Sequence, residues 1–263
     1  MIVKNDYLKF AESLVREAGT LLKKKLPGKH KIDFKGEINL VTEADRMSEV
    51  FLMQKIRDSF PHHDIQTEES AGVQSGSDFR WIIDPLDGTT NYAHGYPVFC
   101  VSVALEIKSA ICLGVIYNPM LEEMFTAQKG GGAFLNGRAI EVSNTEKLSR
   151  SLLATGFPYD IRESKENNIN NFIVMALKAQ AIRRAGSAAL DLAYVAAGRF
   201  DGFWELKLMP WDTAAGWLMI EEAGGAVTDL FGKDYGLTSG HILATNGKIH
   251  KEMIEVLASC ATL

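Results

Sequence analysis

Apolar residues recur at three- and four-residue spacing from the start of the chain. Leu8, Ala11, Leu14, Val15, Ala18, Leu21 and Leu22 share one side, with Lys4, Glu12, Arg16 and Lys23 falling elsewhere. That period predicts an amphipathic helix stopping near Pro27-Gly28. A second helix is expected from about Glu43 to Phe60, started by Thr42 and stopped at Pro61. The polar stretch between them, KIDFKGEINLVT, reads as a hairpin or a mobile loop. The middle third changes period. Trp81-Ile82-Ile83, Val98 to Ile107, Ile111 to Tyr117 and Met124 to Ala127 are apolar or alternating runs that predict strands, with turns at Gly130-Gly131-Gly132 and Asn136-Gly137. The first of these strands is expected to end at Asp84, because Pro85 has no N–H for a ladder.

The last third alternates. Helices are expected over Ile161 to Lys178, Gly186 to Ala197, Trp211 to Ala223 and from about Lys248. Short strands are expected running into Arg183-Arg184, over Asp201 to Trp204, and at Val227 and Ile242-Leu243. Trp81, Phe99, Trp204, Trp211 and Trp217 are expected to pack the core, with Trp204 of interest because Glu205 follows it. No linker, repeat or low-complexity tract interrupts the pattern. It predicts one α+β unit over residues 1–263; two subregions meeting near residue 145 would fit it, but composition draws no boundary there.

Composition narrows the class. The chain has 263 residues, 46% apolar and 23% charged, enough to fold without staples. No apolar run approaches the roughly 18 residues that a membrane span needs. The N-terminus lacks the basic and apolar regions of a signal peptide. Cys100, Cys112 and Cys260 are widely spaced, with no CxxC, and read as thiols of a reducing cytosol, so a cytoplasmic location is expected. A net charge of −5 argues against nucleic acid as a partner. An acidic protein can still act on phosphorylated small molecules where metal ions reverse the local sign.

The segment WIIDPLDGTTN carries the sharpest chemistry. Asp84 and Asp87 follow a strand on one turn and suit a hard divalent cation. Gly88 lets the backbone approach a ligand, and the N–H groups of Gly88, Thr89 and Thr90 can face an anion. Glu68-Glu69-Ser70 precedes this strand, Asp212 opens a helix, and VTEAD sets Thr42 and Asp45 at another helix start. Taken singly, each of these reads as an ordinary cap, turn or solvated surface pair.

Together the segments VTEADRMSE, TEES, WIIDPLDGTTN, RRAGSAALDLAYVAAGR and PWDTAAGWLMIEEAGG resemble the successive signatures of the inositol monophosphatase family of Mg²⁺-dependent phosphatases. The resemblance covers residues 8 to 258 or so, and it implies an αβαβα layered sandwich that forms a homodimer. It further implies two to three Mg²⁺ per site. One would be held by Glu68, Asp84 and the main-chain carbonyl of Leu86, a second by Asp84, Asp87 and Asp212, and a third, weaker one by Glu68 and water. Thr89 and Asp45 would orient the attacking water, with Glu68 beside them. Glu68, Leu86, Asp87, Gly88, Thr89 and Asp212 would also border the substrate. Gly186, Ser187, Ala188 and Glu205 would line its alcohol, and Lys35-Gly36 would sit on a mobile loop over the metals. Thr67 and Asn39 depart from common family residues without touching a ligand position.

The implied reaction is hydrolysis of inositol monophosphate by direct attack of water. Two cations about 3.5–4 Å apart suit phosphoryl transfer, which needs charge neutralisation and an in-line nucleophile. Fructose 1,6-bisphosphate is the alternative substrate, since Arg183-Arg184 could grip a second phosphate. Other phosphorylated polyols and sugars remain within the class. A covalent aspartyl-phosphate route would need Asp-x-Asp, whereas here Pro85 and Leu86 separate the aspartates. A third reading is a regulatory role on RNA or transcription machinery. It would predict lost ligands, and every expected ligand is present. His62, His63, His94 and His241 are expected on the surface or in loops, since oxygen-rich Mg²⁺ sites seldom use imidazole.

Overall fold

A computed structural model describes residues 5–26, 32–34 and 40–259. The chain starts with α1 (Asn5–Lys25), whose apolar stripe Ala11, Leu14, Val15, Ala18 and Leu22 is buried as its period demands. A hairpin of β1 (Ile32–Phe34) and β2 (Leu40–Thr42) leads into α2 (Glu43–Ser59). Thr42 caps α2 through a reciprocal box with Asp45. Lys35, Gly36, Asn39 and Cys260 lie outside the described residues.

Seven strands then build one sheet: β3 (Asp64–Thr67), β4 (Phe79–Asp87), β5 (Cys100–Ile107), β6 (Ala110–Asn118), β7 (Glu123–Gln128), β8 (Gly132–Leu135) and β9 (Arg138–Ala139), with the short α3 (Thr89–Ala93) after β4. They pair in chain order, antiparallel except for β3 beside β4. β4 does not end at Asp84. It runs through Pro85 to Asp87, with a register shift: Asp84 pairs with Ser102 and Asp87 with Cys100. The shift is a bulge, and it accommodates proline because no ladder bond is asked of that residue.

A second sheet of five strands follows: β10 (Leu152–Thr155), β11 (Ala181–Arg183), β12 (Gly202–Glu205), β13 (Ala226–Thr228) and β14 (Ile242–Thr245), in the order β11-β10-β12-β14-β13. Between these strands come α4 (Ile169–Ala176), α5 (Ala188–Ala196) and α6 (Pro210–Glu222), and α7 (His250–Ala258) follows the last. α4 is shorter than its sequence predicts. The Asn168 side chain leaves the helix pattern, donating to Thr155 and to the Gly156 carbonyl and accepting from Trp204. Residues 159–163 form turns instead.

Three apolar cores define the layers. One lies between α1, α2 and the first sheet; a second joins both sheets through α5 and α6; a third lies between the second sheet, α4 and α7. This is the αβαβα sandwich. The central layer needs close approach, and small residues supply it. A Cβ on Gly216 would meet Leu192 at 2.5 Å, and one on Gly114 would meet the Ala215 backbone at 2.8 Å. Trp81, Phe99 and Trp204 are fully buried, whereas Trp211 is partly exposed. His63 is not a plain surface residue: it stacks between Phe60 and Phe79 and accepts from the Trp81 indole at 3.1 Å. Among the described residues no helix is long and apolar enough to cross a membrane.

Candidate active site

The ends of β3, β4, β10 and β12 and the N-termini of α3, α5 and α6 meet around one cavity of about 490 Å³. Gly88 makes the turn from β4 into α3 at φ +95°, and a Cβ there would press on the Val98 carbonyl at 2.9 Å. Asp212 takes the third position of α6 and accepts from the Met209 N–H at 2.7 Å. Asp45 takes the same position of α2, and Ser187 caps α5. Helix N-termini carry partial positive charge, which favours the anionic groups gathered here.

Glu68, Asp84, Leu86, Asp87, Gly88, Thr89, Gly186, Ser187, Ala188, Glu205 and Asp212 all border the cavity. Asp45 stands behind it, accepting from the Thr89 hydroxyl at 2.7 Å. Arg183 does not join them. It ends β11 exposed, bonded to its neighbour's carbonyl, and the next residue, Arg184, borders the cavity instead. Alternation along an extended segment sends successive side chains to opposite faces, so only one of the pair can enter.

The carboxylates are crowded. Asp84 is 1% exposed, and burial followed by the charges of Glu68, Asp87 and Asp212 pushes its pKa well above the usual range. Burial also raises Asp212, with Asp87, Glu68 and Glu205 adding to it. Asp87 is raised by burial but steadied by the Ser187 hydroxyl at 2.6 Å and the Ala189 N–H at 2.8 Å. Burial raises Asp45 against the opposing bonds from Thr42 and Thr89. Glu205 is pushed up to about 8, chiefly by burial. Such mutual repulsion is unfavourable in the absence of cations, and the oxygen-rich donors suit hard ones.

Several cavity residues carry no local sequence signal. Gly156 is one: a Cβ there would sit 2.1 Å from Glu205 Oε1, so glycine makes room for that carboxylate. Asp191 is 1% exposed at the cavity floor, its Oδ1 unpartnered among the described residues. Phe157, Tyr159, Met209 and Trp211 form a largely apolar rim. No motif carries Phe157, Tyr159 or Met209, and Trp211 borders the cavity while also packing on the core beside α5 and α6.

Comparison with known proteins agrees with this geometry. The sequence profile described as the Inositol monophosphatase family matches residues 4–262. An inositol-1-monophosphatase of Synechocystis sp. is 49% identical over 222 residues, spanning 84% of this chain and 77% of its own length. The Nus factor SuhB of Escherichia coli K12 is 43% identical over 250 residues, 94% of each chain. The solved inositol monophosphatase from Anabaena matches with a TM-score of 0.89 at 45% identity, covering 97% of this chain and 96% of that one. By sequence, fold and relatives alike, the chain belongs to the inositol monophosphatase family.

Proposed function

We propose that the protein is a Mg²⁺-dependent phosphomonoesterase that hydrolyses inositol monophosphate to myo-inositol and phosphate by direct attack of water. The observation that carries this reading is the Thr89–Asp45 hydrogen bond beside a cavity bordered by Glu68, Asp84, Asp87 and Asp212. The donor set fits Mg²⁺: carboxylates plus the Leu86 carbonyl. Among the described residues no three His, Cys, Asp or Glu side chains close on one point. An ion that keeps several waters and takes phosphate oxygens suits such an open arrangement. Glu68, Asp84, Leu86, Asp87 and Asp212 would hold two to three such ions. When bound, Mg²⁺ neutralises phosphoryl charge and lowers the pKa of water.

The chain's own residues do the rest. Thr89 gives its proton to Asp45, which leaves its oxygen lone pairs to accept from a water and aim it. Asp45, buried and fixed by Thr42, holds that orientation. Ser187 and the Ala189 N–H fix Asp87 in place. Glu205 and the Gly186-Ser187-Ala188 segment would meet the polyol's hydroxyls. Of the arginine pair that could grip a second phosphate, only Arg184 borders the cavity. Residues 1–263 would act as one catalytic unit, since α5 and α6 pack on both sheets. The exposed α4 edge of Ile169 and Ile173 supports a homodimer, which light scattering would test.

The decisive experiment is a phosphate-release panel over inositol 1-phosphate, fructose 1,6-bisphosphate, histidinol phosphate and 3′-phosphoadenosine 5′-phosphate. Inositol 1-phosphate should give the highest kcat/KM, and chelation should abolish release. A second reading, a binding role on RNA or transcription machinery, is favoured by the name Nus factor SuhB borne by relatives at 43% and 46% identity. It would gain if the purified protein released no phosphate with Mg²⁺ present and bound such a partner instead.

A further inference from the structure

The hydroxyls deep in the cavity are committed. Thr89 donates to Asp45, Thr155 to the Trp204 carbonyl at 2.6 Å, and Ser187 to Asp87. Tyr159 differs. It borders the cavity, 55% exposed as a residue, and among the described residues no group accepts from its hydroxyl. After burial, the charges that act on the phenol are those of Glu68, Asp212, Asp87 and Asp84, and together they hold it protonated well above its usual range.

The ring is held in place. Asp160 pairs with Lys207 at 2.6 Å, and Lys207 also donates to Ser164 at 2.9 Å. The N–H of Ile161 closes a turn on the Pro158 carbonyl, and those of Glu163 and Ser164 close on Asp160. Phe157 packs on Phe172, with ring centroids 5.8 Å apart. Anchors on both sides present the phenol to the cavity.

We infer that Tyr159 is a further substrate-contacting residue, its phenol O–H donating a hydrogen bond to a phosphoryl oxygen of the monoester. The inference rests on the phosphomonoesterase reading. A neutral phenol is a donor throughout the working pH range, and a bond to a charged oxygen is stronger than one to a neutral acceptor. The contact is assigned to the phosphoryl group and not to the alcohol, because the charged phosphoryl oxygens are the strongest acceptors the monoester offers a phenol donor.

The test compares Tyr159→Phe and Tyr159→Ala with the unaltered protein in Mg²⁺. Calorimetric titration with inorganic phosphate is one readout; kcat/KM for inositol 1-phosphate and for β-glycerophosphate is the other. Tyr159→Phe should keep its melting temperature, bind inorganic phosphate about fivefold more weakly and lose about tenfold in kcat/KM, equally on both esters. A Phe variant equal to wild type, with loss only in Ala, would assign the role to the ring and overturn the inference. A loss confined to inositol 1-phosphate would move the contact to the alcohol and overturn it as well. If the unaltered protein binds inorganic phosphate yet hydrolyses neither ester, the phosphomonoesterase reading fails, while the phosphate titrations still decide the contact.

Discussion

The Thr89 hydroxyl donates to Oδ1 of Asp45 at 2.7 Å, while Oδ2 of the same carboxylate accepts from the Thr42 N–H at 2.8 Å. One side chain therefore closes the capping box of α2 and holds the residue assigned to the attacking water. The two duties separate by substitution. Thr89→Ala should lower kcat by about a hundredfold with KM nearly unchanged, because general-base assistance is lost but binding is not. Asp45→Ala should lose activity similarly and also about 1 kcal/mol of stability with the cap. Steady-state kinetics beside thermal melts check both, and full activity in Thr89→Ala would remove its assignment.

Asp84 is buried among the charges of Glu68, Asp87 and Asp212. Under the proposed function, Asp84→Asn should abolish Mg²⁺-dependent turnover, since an amide could not supply the charge a hard cation would need. Without metal the variant should melt no lower than wild type, because relief of repulsion offsets lost bonds. Wild type should gain melting temperature with millimolar Mg²⁺ and the variant should not. Retention of about a tenth of wild-type activity would refute its assignment as a metal ligand, since ligand loss should cost far more.

Glu205 makes stability depend on pH. Its carboxyl is pushed up to about 8 in the fold, mainly by burial, against Arg184. In the unfolded chain a glutamate titrates near about 4.3. Between these values the folded form keeps a proton that the unfolded chain has released, so stability falls as pH rises through the window. Metal-free protein should therefore melt progressively lower from about pH 4.5 to about pH 8. Asp84, Asp87 and Asp212 shift in the same direction, so Glu205→Gln should remove part of the slope. An unchanged slope in that variant would mean Glu205 titrates normally.

Gly156 leaves the space Glu205 occupies. Gly156→Ala would put a methyl 2.1 Å from Oε1, so the carboxylate must move. KM for inositol 1-phosphate should rise about tenfold while a substrate without vicinal hydroxyls is hardly affected. Equal losses on both would point to general disruption of β12.

The stereochemical course separates water attack from a covalent aspartyl route. One displacement inverts configuration at phosphorus and two restore it. Hydrolysis of a substrate with an isotopically chiral thiophosphate in labelled water should give inversion; retention would return Asp84 to the role of nucleophile.

Much of this architecture is written locally. α1 and α2 follow from a period and a cap, and the runs of the first sheet from apolar alternation. β3 escaped because Asp64–Thr67 is four residues long and owes its form to parallel pairing with β4. The start of α4 escaped because Asn168 spends its side chain on Thr155, Gly156 and Trp204, a tertiary demand that overrides helix preference. Glu68, Asp84, Asp87 and Asp212 were legible because sequence motifs carry them. Tyr159 and Gly156 were not, because each is defined by what lies across the cavity and not by its neighbours in the chain.

The bulge at Pro85 has a consequence for how this cavity tolerates change. Asp84 and Asp87 are paired with Ser102 and Cys100, residues two apart on β5, so both aspartates keep the same facing while Leu86 has no partner there. Its carbonyl is left beside the cavity, 3.1 Å from Thr89 Oγ1, whose hydrogen goes to Asp45. That oxygen belongs to the backbone, so no substitution at position 86 can delete it. Removal of one residue between the aspartates would straighten the strand and preserve their facing, yet return the carbonyl to the ladder. The segment can vary in side chain but not in length.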